Sequence, residues 1–403
     1  MHIDIHIKNI DKINIFYIYA HCSHANSNND LFLNIHFRIK RIKLLNALAK
    51  ATRAVSVRSP LPVLTGIKFD LQAHQLILTG SDSDITIQTI IDEDDDLVIL
   101  KEGAVVLNSR YIFDIVRKIN SDDIEIEIID GLLTRIKGSQ IEYSLNGTDA
   151  IEYPRIDLSK TGTHFMMNAL VLKDIIGETK FAASDKETRP ILTGINFKAH
   201  DHVLEVVATD SYRLAKKIIS IDEDVTFNIT IPKLSLDEIS KIIEKDELIE
   251  LYVSERKVLF VFDKNIIQTR LIDGSYPDTA RLIPLEFDYE LDINRADLLN
   301  AIDRVSLLLN EQNNIVKLDM SNEQVILSSY QQEIGSVEEN LASSFYKGEP
   351  LTISFSCKYA SDAIKSFSGD KIKILFTGEM KPFIVKDFDS DELLQLVLPV
   401  RTY

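Results

Sequence analysis

Apolar and polar positions follow two spacings along this chain, and each spacing predicts one kind of element. Asp123-Ile124-Glu125-Ile126-Glu127-Ile128 alternates residue by residue, which turns one face to water and the other to a core. Leu76-Ile77-Leu78-Thr79 and Ile85-Thr86-Ile87 read as hairpin strands. Elsewhere the apolar residues recur every three or four positions: Leu44, Leu48, Ala51 and Val55 make one stripe of a helix from Arg41 to Val55. Similar helices are predicted from Asn168 to Ala182 and from Arg295 to Leu309. Second helices follow each of these, over Ser109 to Ile119, Ser235 to Glu244 and Lys358 to Ser366.

The pattern repeats. Leu61-Pro62-Val63-Leu64-Thr65-Gly66-Ile67-Lys68-Phe69 returns, without a gap, as Arg189-Pro190-Ile191-Leu192-Thr193-Gly194-Ile195-Asn196-Phe197. A fainter third copy places Val316-Lys317-Leu318 and Val325-Ile326-Leu327 where the first has Ile67-Lys68-Phe69 and Leu76-Ile77-Leu78. Leu44-Leu45-Asn46-Ala47-Leu48 recurs as Leu298-Leu299-Asn300-Ala301-Ile302. A unit of roughly 125 residues is the size of one compact core. The expected architecture is α+β with antiparallel sheets, built three times, with boundaries at 33–158, 159–286 and 287–403.

Residues 1–32 stand apart. Four histidines (His2, His6, His21, His24) and an Asn/Ser-rich stretch lie there without metal-ligand spacing, and the segment is expected to be a poorly ordered extension or to precede the true start. Two cysteines in 403 residues are too few for a disulfide framework and fit a reducing cytoplasm.

Charge changes the picture more. The net charge is -17, which on its face speaks against contact with nucleic acid. Net charge does not say where charges sit, however. The predicted helices carry Lys43, Lys50, Arg53, Arg117, Lys118, Lys173, Lys180, Lys241 and Arg304, whereas the acid gathers between strands, most densely at Asp92-Glu93-Asp94-Asp95-Asp96. On one helix that is an ordinary solvated face; its return in every repeat is what makes it informative.

No phosphate-binding loop, dinucleotide fingerprint, nucleophile elbow or zinc spacing is present, so no catalytic residue, metal or cofactor is expected. Asp82-Ser83-Asp84 and Asp210-Ser211 read as turns in which a short acidic side chain bonds back to the backbone. The competing reading is an enzyme of nucleic-acid metabolism that holds Mg²⁺ on carboxylates, which would need them to converge from separate segments.

Several segments together resemble the bacterial DNA polymerase III beta subunit family, the beta sliding clamps. They are Leu61-Pro62-Val63-Leu64, Arg189 to Gly194, Ala208-Thr209-Asp210-Ser211-Tyr212-Arg213-Leu214-Ala215, Asp273-Gly274-Ser275-Tyr276-Pro277 and Leu398-Pro399-Val400-Arg401-Thr402-Tyr403. The resemblance runs from about Leu33 to the last residue. It implies three DNA-clamp domains per chain and two chains joined head to tail in a ring. Helices would line the hole around duplex DNA, and sheets would form the outside. It also implies the partners: the replicative polymerase, the clamp loader, repair polymerases and mismatch repair proteins.

Site residues follow from the same resemblance. Linear peptides of partner proteins would dock against Arg189, Ile191 and Leu192, then Thr209, Ser211, Tyr212, Arg213 and Leu214, then Pro284. The third repeat would add Tyr359, Met380, Pro382, Leu396, Leu398, Val400 and Arg401. Leu192, Leu214, Leu398 and Val400 suit an apolar slot, and Arg189 and Arg401 a polar rim. Tyr212 stands where many relatives have histidine. DNA contacts are expected from Arg58 and Lys186 in loops and from Lys50 and Arg53 on the first helix. Leu307 and Leu308 are expected to meet the edge strand of the other chain at Tyr143 and Leu145.

Overall fold

The computed structural model describes residues 35–56, 58–310, 314–342 and 344–401; the histidine-bearing stretch and Cys22 lie outside the described residues. Among these, six α-helices occur in three pairs: α1 (Arg41–Ala51) with α2 (Ser109–Lys118), α3 (Ala169–Thr179) with α4 (Lys233–Ile242), and α5 (Arg295–Val305) with α6 (Cys357–Lys365). Asparagine or serine starts four of them. Asn108, Asn168, Asn294 and Ser356 each accept a hydrogen bond from a backbone N–H of the first turn.

The first helix of each pair ends before the sequence periodicity does. The last turn tightens to 3-10 geometry at Thr52–Ala54, Lys180–Ala182 and Ser306–Leu308, and Val55, Ala183 and Leu309 are already extended. A three-residue turn keeps the apolar spacing nearly in phase, so the helices predicted to Val55, Ala182 and Leu309 are too long. α4 instead begins early. Ser235, expected to open it, is buried and its hydroxyl accepts a bond from Thr269 Oγ1 at 2.8 Å, while Pro232 precedes the first turn.

The chain forms two compact units, one containing the residues up to Ser159 with Asp263–Gln268, the other Lys160–Phe262 with the residues from Thr269 onward. In the first, a five-stranded antiparallel sheet runs in the order Leu97–Lys101, His36–Lys40, Asp123–Asp130, Leu133–Lys137, Glu142–Asn146. Phe37, Leu44, Leu48, Phe69, Ile112 and Ile126 share the core beneath α1 and α2. The acidic run at 92–96 is a tight connection: Asp94 Oδ1 accepts the backbone N–H of Asp96 and of Leu97, and Glu93 accepts that of Ile99.

The second unit contains a nine-stranded antiparallel sheet. Its order is Phe227–Pro232, Gly194–His200, Val203–Thr209, Arg213–Ser220, Leu393–Val397, Phe383–Asp387, Lys371–Phe376, Tyr289–Asn294, Phe345–Lys347. The strand Leu393–Val397 therefore sits between the second and third repeats. Leu396 faces Leu214 in register on one side and Ile384 on the other. A separate four-stranded sheet runs Gly335–Asn340, Val325–Gln331, Ile315–Met320, Leu351–Ser356.

Candidate functional site

Where Arg213–Ser220 meets Leu393–Val397, strand alternation brings apolar side chains to one face. Val207, Leu214 and Leu396 are buried together, and Tyr276, Ile283, Leu394 and Leu398 pack partly open against them. The Tyr276 hydroxyl accepts the N–H of Thr209 at 3.0 Å, and burial pushes its phenol well above the usual range, so it stays neutral. Leu398 donates its N–H to the Tyr212 carbonyl at 3.0 Å, and Val400 donates to the Ser354 carbonyl at 2.7 Å. The segment after the last strand is thus tied to the second repeat at one point and the third at another.

The turn that precedes Leu214 is built as its composition predicts. Asp210 Oδ1 accepts the N–H of Tyr212 at 2.9 Å and of Arg213 at 3.1 Å, with Ser211 in the left-handed region at φ 79. Asp82 makes the equivalent pair of bonds to Asp84 and Ile85, around Ser83 at φ 85. Arg189 reaches the turn from outside, donating to Ser211 Oγ at 3.2 Å. The Tyr212 and Tyr359 rings stack at 6.4 Å.

Of the residues expected here, Leu214, Leu396 and Leu398 come together in the apolar patch, and Thr209, Ser211, Tyr212, Arg189 and Tyr359 surround it through these bonds and ring contacts. Ile191 lies beside Gly274, and Leu192 is buried in the 3-10 turn Pro190–Thr193. Pro284 is half-buried next to Leu285, which is 93% exposed. Met380 and Pro382 occupy the connection between Lys371–Phe376 and Phe383–Asp387, and Arg401 is exposed. Arg213 is 8% exposed and bonded to both Asp210 and Asp362. Sequence reasoning missed Val207, Ile283, Leu394 and the wall formed by Tyr276, although Leu394, Leu396 and Leu398 share one strand face by simple alternation.

Several of the helix cations are engaged. Lys43 bonds Asp94, Lys180 bonds Asp237, Lys241 bonds Asp237 and Glu238, Arg304 bonds Glu339, and Lys173 donates to the Ile243 carbonyl. The Lys43 and Arg304 bonds hold the Asp94 and Glu339 carboxyls below their usual range, so these pairs are charged at neutral pH. Arg53, Arg58 and Lys186 are exposed, and Lys50 is half-buried. Tyr143 and Leu145 lie on the marginal strand Glu142–Asn146, half-buried against the core of the first unit. Leu307 is 81% exposed and Leu308 half-buried; their 3-10 turn packs beside Gly335–Asn340, a marginal strand of the four-stranded sheet. Among the described residues no group of three or more His, Cys, Asp or Glu is placed to hold a metal ion, and no helix is long and apolar enough to cross a membrane.

Comparison with known proteins gives matches along the whole described chain. Residues 35–157, 166–278 and 280–401 match, in order, the N-terminal, central and C-terminal domains of the DNA polymerase III beta subunit. The chain is 41% identical over 376 residues to the beta sliding clamp of Bacillus subtilis, spanning 91% of this chain and 100% of that protein. It is 40% identical over 376 residues to that of Staphylococcus epidermidis, spanning 92% and 100%. Among solved structures, the DNA polymerase sliding clamp from Bacillus subtilis superposes with a TM-score of 0.89 at 40% identity, over 92% of this chain and 100% of that one. A sliding clamp from Bartonella birtlesii bound to griselimycin gives 0.87 at 29% identity, again over 92% and 100%.

Proposed function

Since the chain belongs to the DNA polymerase III beta subunit family, the beta sliding clamps, we propose that two copies close head to tail into a ring around duplex DNA and tether the polymerase that copies it. The observation that carries this is a pair of open sheet margins. Glu142–Asn146 ends one sheet in the first unit and Gly335–Asn340 ends another in the second, with exposed Leu307 beside it. Open edges invite pairing, and two different surfaces joined by a rotation that closes make a ring. Tyr143 and Leu145 would receive Leu307 and Leu308 of the second copy.

The role is non-catalytic. Arg58, Lys186, Lys50 and Arg53 would touch phosphates, which carry no sequence information, so the ring slides and persistence comes from topology. The apolar patch around Leu214, Leu396 and Leu398 would hold linear segments of the polymerase, the clamp loader, repair polymerases and mismatch repair proteins in the cytoplasm. That a similar clamp takes griselimycin supports a ligand-binding surface on this fold. The test is retention on DNA. Loaded onto nicked circular DNA, the protein should sediment with the mass of two chains and stay bound in salt, then run off when the circle is cut. Release from circular and linear DNA at the same rate would overturn the ring.

A further inference from the structure

Each repeat has a strand that leads into its first helix, and the three strands are not covered alike. His36–Lys40 lies between Asp123–Asp130 and Leu97–Lys101, and Tyr289–Asn294 between Lys371–Phe376 and Phe345–Lys347. Thr163–Asn168 pairs with Leu248–Val253 on one side and on the other is the last strand of its sheet. Chain length explains the difference. The connection that supplies the covering strand has ten residues in the first repeat (93–102) and ten in the third (341–350), but six in the second, Ile221-Asp222-Glu223-Asp224-Val225-Thr226. The shorter connection crosses between its flanking strands with no stretch left to lie alongside.

What stands in for the strand is one side chain. Glu223 Oε1 accepts the N–H of Met166 at 2.9 Å, while its buried Oε2 has no hydrogen-bond partner among the described residues. The Met166 N–H points away from Leu248–Val253, so the N–H and C=O of His164, two residues earlier, point the same way and meet no strand there. Around this edge the charge is acidic. Asp222 and Asp224 are exposed, and Glu250 faces Met166 in register, with Lys160 already bonded to it at 3.3 Å. Phe227, half-buried, stacks on Phe165 of the open strand at 5.3 Å.

We propose that Thr163–Asn168 is a second docking edge, which takes a short extended segment of a partner protein in which aliphatic residues alternate with lysine or arginine. The other repeats show what fits the position: an antiparallel strand of three to five residues. Main-chain bonds hold the segment and alternate side chains select it. Its aliphatic residues turn toward Phe227. Its basic residues meet the carboxylates of Asp222, Glu223 and Asp224, with Glu223 moving from the Met166 N–H to the incoming cation.

The experiment uses the full chain and three fluorescent peptides of equal length: alternating lysine and isoleucine, alternating glutamate and isoleucine, and the lysine peptide with every second amide methylated. The lysine peptide should bind and slow amide exchange across 163–168. The glutamate peptide should bind at least about tenfold more weakly, and methylation should weaken binding as much. His164→Pro removes one outward N–H at a margin that tolerates proline, and should cost roughly twofold to tenfold in affinity. Replacing 221–226 by the first repeat's 93–102 supplies the strand from within and should abolish binding without lowering the melting temperature. Equal binding of the lysine and glutamate peptides overturns the proposal, as does indifference to methylation or protection confined to other segments. Absence of binding to the parent reduces Glu223 to a guard of the edge and also overturns it. If the lysine peptide binds only after residues 1–32 are deleted, the chain's own beginning is the occupant. If it breaks up assemblies larger than two chains, a further copy is. Either result overturns the partner segment.

Discussion

Leu398 uses its backbone and its side chain for different ends. The amide bonds to Tyr212, while the side chain lies partly open against Leu214 and Leu396. Leu398→Asp keeps the amide and brings a carboxylate to an apolar surface, where docking would strip its water at a cost of at least 1–3 kcal/mol, roughly tenfold or more in affinity. Calorimetry with a leucine-anchored peptide checks this, and parental affinity would remove Leu398 from the site. The leucines of the patch are legible in the sequence because alternation marks their face. Val207 and Ile283 are not, since only the pairing of distant strands brings them alongside. Arg213 is the instructive case. Between Tyr212 and Leu214 a charge reads as a surface group, and nothing local reveals Asp362, which arrives from α6 and makes it internal.

At the scale of elements, the 3-10 turn after α5 has the largest consequence. It leaves Leu307 outward and Leu308 half-covered, so the two leucines are not equivalent. Leu307→Asp should therefore dissociate the dimer while the circular dichroism spectrum stays parental, because the residue is exposed within its own chain. Leu308→Asp should also lower the melting temperature. Sedimentation decides it, and an unchanged dimer mass for Leu307→Asp would exclude this turn from the contact. Helix existence and order are readable from the 3.6-residue stripe, and Asn168 and Asn294 announce their helices as caps. Where the helices end is not readable, because a tighter turn preserves the spacing of Val55 and Leu309 while changing the direction of the chain.

For the whole molecule the question is how a chain of net charge -17 approaches DNA. Lys180 and Arg304 already face carboxylates, whereas Arg58 and Lys186 stand exposed in loops. Replacing Arg58 and Lys186 together with Ala should flatten the dependence of DNA affinity on salt by up to about two counterions. Replacing Lys180 and Arg304 should leave that slope nearly unchanged. Titration across salt concentrations measures both, and equal slopes for the loop variant and the parent would exclude the loops from DNA contact. Because the Asp94 and Glu339 carboxyls are held below their usual range, their pairs with Lys43 and Arg304 persist until the medium is distinctly acid, and none of this changes between pH 6 and 8. The nine-stranded sheet carries a different kind of consequence, one of time. Leu393–Val397 is drawn from the far end of the sequence, so a ribosome delivers it after every other strand of that sheet. Until then Arg213–Ser220 waits with a row of unpaired peptide groups, on the order of ten seconds at ordinary rates of synthesis. A protein whose task is to hold on to DNA thus begins life with its own sheet open to any passing strand, and a message cut short before Leu393 leaves it so.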